Sequence, residues 1–299
     1  MKTHSYSIPA QEKNASLLGN VLHEATGLLE HAGCTAARFE AEYLMQALLG
    51  INRAALFLDP ERRLNPEETA SYQAMLARRL QQEPLQYIIG RVEFWSRDFQ
   101  VTPDVLIPRQ ETEFVLERIL SLVRRQGFDC RHILDMGTGS GVIADVLAAE
   151  LDASVVAVDS SAAALRVAVA NINRHQLQDR VTFICSDLFA ELGRQQQFDL
   201  IVSNPPYVAE LEKNDLHPEV SEYEPAQALF AGSDGLECYR RLIPESVDYL
   251  RPGGWLCLEI GAGQGLVIRK MLHESGFGEV AVHSDYADRP RLALGKKEC

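Results

Sequence analysis

The chain has 299 residues, of which 46% are hydrophobic and 24% charged, which is the composition of a folded protein with one large or two ordinary domains and excludes a disordered one. Its net charge is −13, and most of the acidity lies after residue 90, where 32 Asp and Glu residues face 21 Lys and Arg residues. Such an excess of acids disfavours binding to the phosphates of DNA or RNA.

The sequence indicates neither a targeting segment nor a metal site. The first fourteen residues contain no apolar core of signal-peptide length, and no run of the chain approaches eighteen apolar residues. The six cysteines are scattered, without a C-x-x-C pair or paired histidines, which argues against both a zinc site and a disulfide framework. We therefore expect a cytoplasmic protein with no metal ion and no membrane partner.

Residues 15–83 predict a small bundle of helices, because apolar residues recur three and four positions apart. The series NPEE from residue 65 supplies an N-cap, a proline at the first helical position and a capping-box acid. In the next segment β-branched and aromatic residues alternate with polar ones, and Gly90 and Pro103 are turn signals. We therefore predict a helical domain over residues 1–85 and a β-hairpin linker over residues 86–108.

From Arg131 onward, strand-like and helix-like segments alternate. The predicted strands are HILDMG, SVVAVD, RVTFICSD, FDLIVS and GWLCLEI, with helices from about residues 142, 161, 234 and 264 and two short edge strands near 279–283 and 291–295. Alternation of this kind favours a parallel sheet with helices on both faces, because parallel strands need long crossovers. Residues 109–299 are thus predicted to form an α/β, Rossmann-like domain with a seven-stranded, mostly parallel sheet.

The glycine-rich stretch DMGTGSG, from Asp135 to Gly141, lies where the first of these strands gives way to a helix. Glycines there permit a tight turn and let a ligand approach the helix N-terminus. The second strand ends in Asp159, which is placed to accept hydrogen bonds from two ribose hydroxyls. The third ends in Asp187 and Leu188, an acid for the amine of an adenine and an apolar side chain for its face. The three strand ends predict a nucleoside site.

Two cofactors compete for such a site. A dinucleotide would bring a pyrophosphate to the helix N-terminus, and Asp135, expected at the mouth of the loop, would repel it. The same acid suits the cationic groups of S-adenosylmethionine (AdoMet), and the D-x-G-x-G-x-G spacing resembles motif I of the class I methyltransferases. We therefore expect AdoMet as cofactor, with S-adenosylhomocysteine as its product. Further contacts are expected from the loop residues Gly137, Thr138, Gly139, Ser140 and Gly141.

The fourth strand ends in NPPY, which begins at Asn204. The Asn204 side-chain oxygen and the Pro205 carbonyl can hold the two N–H bonds of a flat NH2 group and favour its pyramidal form in the transition state. Pro205 and Pro206 stiffen this turn and offer no N–H of their own, while Tyr207 supplies an aromatic face. Asn204, Pro205 and Tyr207 are the expected catalytic residues. A glutamine amide, an adenine amine and a guanine amine would all fit them.

The whole chain resembles the PrmC/HemK family of protein glutamine methyltransferases. The helical N-terminal part, the segment ending in PRQETE, and the stretches LDMGTGSGVIA, SNPPYV and YEPAQAL follow in the order of that family. The resemblance implies methylation of the side-chain amide of the glutamine in the Gly-Gly-Gln loop of peptide chain release factors. It also implies that the glycine loop, Asp159, Leu188 and Asn204 contact AdoMet, and that residues 204–207 hold the glutamine.

The same resemblance draws attention to residues outside these motifs. Glu224 falls in a segment that the family folds over its site, where it either contacts the substrate or only anchors the loop. Arg109, Glu111 and Thr112 of PRQETE are expected to brace the cofactor side, through an ion pair or by contact. The chain departs from the family at Gln110, which replaces a proline, and at Asp145, which replaces an apolar helix residue. We expect Asp145 to be solvated or to contact the helix dipole.

Two other functions compete with this one. The first is amine methylation of adenine or guanine in DNA or RNA, which NPPY permits and the net charge disfavours. The second is a catalytically silent AdoMet-binding protein that acts through its helical domain, which the intact NPPY disfavours. Because the helical domain carries no catalytic motif, we assign it to recognition of the protein substrate, and we expect the enzyme to act as a monomer.

Overall fold

The computed structural model describes residues 17–298, and the chain divides into two compact units at the bond between Ile89 and Gly90. Cys299 and the N-terminal stretch that was searched for a targeting signal lie outside the described residues. Within residues 17–298 every helix is too short or too polar to span a membrane. In the same range no group of three or more His, Cys, Asp or Glu side chains is arranged to hold a metal ion.

The first unit is built from helices around an apolar core. They are α1 (Leu18–His31), α2 (Ala37–Leu49), α3 (Arg53–Leu58), α4 (Pro66–Leu80) and α5 (Leu85–Ile89). The capping box predicted for α4 is confirmed: the Asn65 side chain accepts from Glu68 N, and Asn65 N donates to the Glu68 carboxylate, both at 2.8 Å. The fully buried Tyr72 ties α4 to α2, because its hydroxyl donates to Ala41 O at 3.0 Å.

The second unit begins with the predicted hairpin, β1 (Arg91–Phe94) and β2 (Arg97–Gln100), which pair antiparallel. Its two-residue turn has positive φ at Trp95 (52°) and Ser96 (55°), the twist that a tight hairpin requires. Phe94 and Phe99 are buried in the main apolar core of this unit. The segment predicted as a linker is therefore shared between the units: α5 lies in the first and the hairpin in the second.

The remaining elements alternate as the sequence predicts. The prediction omitted one long helix, at residues 110–126, whose apolar residues recur at helical spacing, and three short ones between residues 210 and 229. The helices are α6 (Gln110–Gln126), α7 (Val142–Leu151), α8 (Ala162–Arg174), α9 (Pro218–Ser221), α10 (Ala226–Leu229), α11 (Glu237–Tyr249) and α12 (Gly265–Glu274), with a 3₁₀ helix at Glu210–Asp215. The strands are β3 (His132–Met136), β4 (Ser154–Asp159), β5 (Val181–Cys185), β6 (Phe198–Ser203), β7 (Leu250–Glu259), β8 (Phe277–Ser284) and β9 (Pro290–Lys297).

The seven strands β3 to β9 form one sheet in the order β5-β4-β3-β6-β7-β9-β8. The first five in this order are parallel, and β9 runs antiparallel to both of its neighbours. The predicted seven-stranded, mostly parallel sheet is confirmed, although β9 lies inside the sheet and only β8 of the last two strands is at an edge. Because the chain moves outward in opposite directions from β3 and β6, a crevice is expected at the carboxyl ends of these two strands.

Buried polar contacts fasten the hairpin to α7 and α8. Asp145 of α7 is fully buried; its Oδ1 accepts from Arg97 Nη1 at 2.7 Å, and its Oδ2 lies 2.7 Å from His175 Nδ1. Asn171 of α8 accepts from Gln100 N at 2.7 Å and donates to Gln100 O at 3.0 Å. Asp145 lies in the first turn of α7, as the expected contact with the helix dipole requires. The alternative expectation of a solvated side chain is wrong, because the residue is fully buried and Arg97 of the hairpin supplies a cation.

Candidate active site

The carboxyl ends of β3 and β6 lie side by side, with Met136 opposite Ser203. The glycine-rich loop therefore adjoins the NPPY turn, and a Cβ atom built on Gly137 would lie 4.0 Å from Asn204 O. A cavity of about 300 Å³ opens at this point. Twelve of the residues singled out in the sequence line it, namely Arg109, Thr112, Gly137, Thr138, Gly139, Ser140, Asp159, Asp187, Leu188, Asn204, Pro205 and Pro206.

The glycine loop has three positions with positive φ, at Gly137 (77°), Gly139 (55°) and Gly141 (84°), a conformation that side chains disfavour. Gly137 N donates to Val158 O at 2.8 Å, which ties the loop to β4. Gly141 is not among the cavity residues, and a Cβ atom there would approach Ala168 Cβ to 3.1 Å. Gly141 thus allows α7 to pack closely on α8, and its predicted cofactor contact stays a prediction.

Asp159 lines the cavity at the end of β4 and is oriented by the backbone around it. Its carboxylate accepts from Gly139 N at 2.9 Å and from Ser161 N at 2.8 Å. Burial raises the pKa of Asp159, and these backbone N–H groups oppose that rise. A carboxylate has about four acceptor positions, so acceptor capacity remains for the hydroxyls of a ribose.

Asp135 lies beneath the loop and not at its mouth, so that expectation is wrong. The residue is fully buried and is not among those that line the cavity. Its Oδ2 accepts from the Thr138 hydroxyl at 2.6 Å and from Ala144 N at 3.0 Å, whereas Oδ1 has no hydrogen-bond partner within residues 17–298. Burial raises the pKa of Asp135 to about 7. The carboxylate therefore supports the loop from below and does not itself line the cavity.

Asp187 and Leu188 follow β5 and line the cavity, as expected from the sequence. The Asp187 carboxylate also forms an exposed ion pair with Arg241 of α11, at 2.9 Å. Arg241 and Cys238 line the cavity from α11, and nothing in the sequence pattern singled them out. A ligand at this end would share the Asp187 carboxylate with Arg241.

The NPPY turn presents Asn204, Pro205 and Pro206 to the cavity, but Tyr207 is not among the lining residues. Tyr207 packs against the apolar cluster of α11 and β7, and its carbonyl accepts from Gln264 Nε2 at 2.9 Å. A Cβ atom on Gly235 would lie only 2.3 Å from that carbonyl oxygen. Burial raises the pKa of Tyr207 to about 12. The Tyr207 side chain thus packs against the core beside the turn, and its predicted stacking and catalytic roles stay predictions.

Two further side chains lie behind Asn204. Thr112, in the first turn of α6, lines the cavity, and its Oγ1 is 3.4 Å from Asn204 Nδ2 and 2.7 Å from Glu259 Oε2. Glu259 ends β7 and is buried, which raises its pKa to about 7. Sequence reasoning missed Glu259. The available signal was its position at the carboxyl end of a strand, since neighbouring parallel strands end at the same edge of a sheet.

Glu224 is held in an ion pair and does not line the cavity. Its Oε1 accepts from Arg109 Nη2 at 2.5 Å and its Oε2 from Ile107 N at 3.3 Å. Burial raises the pKa of Glu224, and Arg109 opposes that rise. The segment that Glu224 anchors contributes Gln227 and Phe230 to the cavity wall. Of the two roles left open for Glu224, its contacts are those of an anchor.

The sheet order, the glycine loop after β3 and the acid after β4 define the fold of a class I AdoMet-dependent methyltransferase. The solved structure of the 16S rRNA N2 G1207 methyltransferase RsmC of T. thermophilus, in complex with AdoMet and guanosine, has this fold. Its TM-score to this chain is 0.53 at 20% identity, over 70% of this chain and 50% of that one. A cavity with two glycines in its loop wall, Gly137 and Gly139, and an oriented acid, Asp159, fits AdoMet.

Residues 20–90 match the PrmC N-terminal domain, and residues 112–221 match the methyltransferase small domain. The release factor glutamine methyltransferase of Geobacter sulfurreducens is 46% identical over 277 residues, which are 92% of this chain and 95% of that protein. That of Koribacter versatilis is 42% identical over 271 residues, 90% of this chain and 94% of that protein. The chain belongs to the release factor glutamine methyltransferase family. The resemblance, fold class and cofactor inferred from the sequence are confirmed.

Proposed function

We propose that this protein transfers the methyl group of AdoMet to the side-chain amide nitrogen of the glutamine in the Gly-Gly-Gln loop of peptide chain release factors. One observation carries the proposal: Asn204 and Pro205 line the same cavity as Gly137 and Asp159. An amide nitrogen held at the NPPY turn therefore lies beside the cofactor position. The relatives, which are release factor glutamine methyltransferases over nearly the whole length of this chain, support the same substrate.

The NPPY turn performs the reaction chiefly by positioning. The nitrogen of a planar amide has its lone pair delocalised, and two acceptors on its N–H bonds, Asn204 Oδ1 and Pro205 O, favour the pyramidal geometry needed for attack. Pro205 and Pro206 add no donor that competes for these oxygens. When bound, AdoMet supplies a methyl group on a cationic sulfur, which departs with the C–S bonding electrons as a thioether. The methylated nitrogen then releases a proton to water, so no strong base is required.

Labelled AdoMet and a purified release factor test this function directly. We expect label on the wild-type factor and none on a factor whose loop glutamine is replaced by alanine. Label that persists after this replacement would refute the proposed target. Label that appears instead in nucleic acid, and is lost on nuclease treatment, would identify the chain as an amine methyltransferase of DNA or RNA.

We further propose that the helical domain recognises the release factor, and that the enzyme works in the cytoplasm as a monomer without a nucleic-acid partner. The net charge of −13 supports the last point. Removal of residues 1–89 tests the role of the helical domain. We expect the remaining unit to bind AdoMet and to methylate intact release factor much more slowly. A folded truncated enzyme with an unchanged rate would contradict this role.

A further inference from the structure

A continuous series of hydrogen bonds ends at the NPPY turn and links Asn204, Thr112 and Glu259. Asn204 follows β6, Thr112 lies in the first turn of α6, and Glu259 is the last residue of β7. The two links measure 3.4 Å, from Asn204 Nδ2 to Thr112 Oγ1, and 2.7 Å, from Thr112 Oγ1 to Glu259 Oε2. Thr112 is 3% exposed and Glu259 1%, so water does not substitute for either partner.

When Glu259 is ionised, the hydrogen atoms of these three side chains can form both hydrogen bonds in one arrangement. A carboxylate only accepts hydrogen bonds, and a threonine hydroxyl has a single hydrogen to donate. That hydrogen goes to Glu259, so the Thr112 oxygen is left as an acceptor and receives the Asn204 amide through Nδ2. The oxygen and nitrogen of an asparagine amide point in different directions and are nearly equal in size, so packing alone does not choose between the two orientations. The Thr112 hydroxyl makes that choice.

We propose that Thr112 and Glu259 are positioning residues for methyl transfer, which fix the Asn204 amide with Oδ1 turned toward the substrate nitrogen. This inference rests on the proposed function. In the opposite orientation Asn204 would present its NH2 group to the NH2 group of the substrate. Two hydrogen-bond donors would then face each other, and the acceptor needed in the transition state would be lost. Thr112 touches neither reacting atom, and it acts through Asn204.

The matched variants are Thr112→Val, which keeps the shape and removes the hydroxyl, and Thr112→Ser, which keeps the hydroxyl. Assays at pH 8 keep Glu259 ionised, since its pKa is about 7. With release factor as substrate, we expect Thr112→Val to lower kcat about tenfold or more and Thr112→Ser to recover most of that loss. AdoMet affinity, measured by calorimetry, should change less than threefold in both. A role limited to bracing α6 would not separate the two variants in this way.

Three kinetic results would overturn the proposal. They are a kcat for Thr112→Val within threefold of wild type, equal impairment of the Val and Ser variants, and a fall in kcat matched by an equal loss of AdoMet affinity. If wild-type enzyme transfers no label to release factor, the proposed function fails, and the positioning role is then judged by a measurement that needs no turnover.

That measurement is the orientation of the Asn204 amide in the ligand-free enzyme, read by NMR at pH 8. The Asn204 NH2 protons, identified by their loss in Asn204→Asp, should show a strong nuclear Overhauser effect to the methyl protons of Thr112. Its presence supports the assigned orientation. Its absence would overturn the proposal whatever the substrate proves to be.

Discussion

Two regions of the second unit bury carboxylates, and they do so in opposite ways. Under the hairpin, both oxygens of Asp145 are occupied, by Arg97 and His175. Around the cavity, Asp135 and Glu259 each keep one oxygen without a hydrogen-bond partner among residues 17–298, and burial raises both pKa values to about 7. The first arrangement holds an added hairpin in place. The second leaves one carboxylate oxygen of each acid without a hydrogen-bond partner in the region of the cavity.

The largest effect is expected from Asp145→Ala, which should reduce the free energy of unfolding by about 3–5 kcal/mol, because Arg97 and His175 would lose a buried partner. Denaturant titration followed by fluorescence measures this loss. Asp129→Ala is the matched control, since Asp129 pairs with Arg131 at the exposed surface and its removal should leave the transition midpoint unchanged. Similar midpoints for the two variants would show that the contacts of Asp145 with Arg97 and His175 do not stabilise the fold.

The unpartnered acids should instead make stability depend on pH. Because the pKa of Asp135 is raised in the folded state, the folded protein binds the proton more tightly than the unfolded chain does, and the resulting stability is present below about pH 4 and lost as the pH rises through about 7. Asp135→Asn should remove this loss, which is about 4 kcal/mol, from ligand-free enzyme. The check is denaturation at pH 4 to 8 for both proteins. Parallel curves for the two would refute this assignment.

A third effect concerns turnover and not folding. Asn204→Ala should lower kcat about a hundredfold, or about 2.7 kcal/mol of transition-state stabilisation, while AdoMet affinity and the free energy of unfolding change little. Steady-state kinetics and calorimetry measure the two parts. Asn173→Ala, at an exposed position of α8, is the control and should leave both unchanged. Equal losses in turnover and in AdoMet binding would mean that Asn204 serves the cofactor more than the acceptor.

The smallest effect is expected at the far end of the cavity. Arg241 and Asp187 form an ion pair in which both side chains are about half exposed or more. Arg241→Gln should therefore change the free energy of unfolding by less than about 1 kcal/mol. A thermal denaturation series against wild type suffices to test this. A larger loss would mean that this surface ion pair stabilises the fold as the buried contacts of Asp145 do, and the two regions would then not differ in this respect.

The features that could be predicted from the sequence are those with local signals. The glycine loop, the strand ends at Asp159 and Asn204, and the capping box at Asn65 each follow from residue type and spacing over a few positions. Crossover rules then bring β3 and β6 together. The burial of Asp145 could not be obtained in this way, because Arg97 and His175, far away in the chain, decide it.

Asp135 is an intermediate case. Side chains of a strand alternate between its two faces, so an acid inside a fully buried strand points into a helix layer and not out of the sheet edge. That rule, applied to HILDM, would have placed Asp135 under the loop. The link from Asn204 through Thr112 to Glu259 needed the sheet order and the docking of α6, and no pattern in one segment contains either.

The NPPY turn is supported from outside its own segment, because Gly235 lies directly against the carbonyl of Tyr207. A Cβ atom at position 235 would lie 2.3 Å from the Tyr207 carbonyl oxygen, so any larger residue there would displace the end of the motif. Introducing the sequence NPPY after another strand would therefore not reproduce its geometry, because the turn also requires a residue without a side chain at position 235.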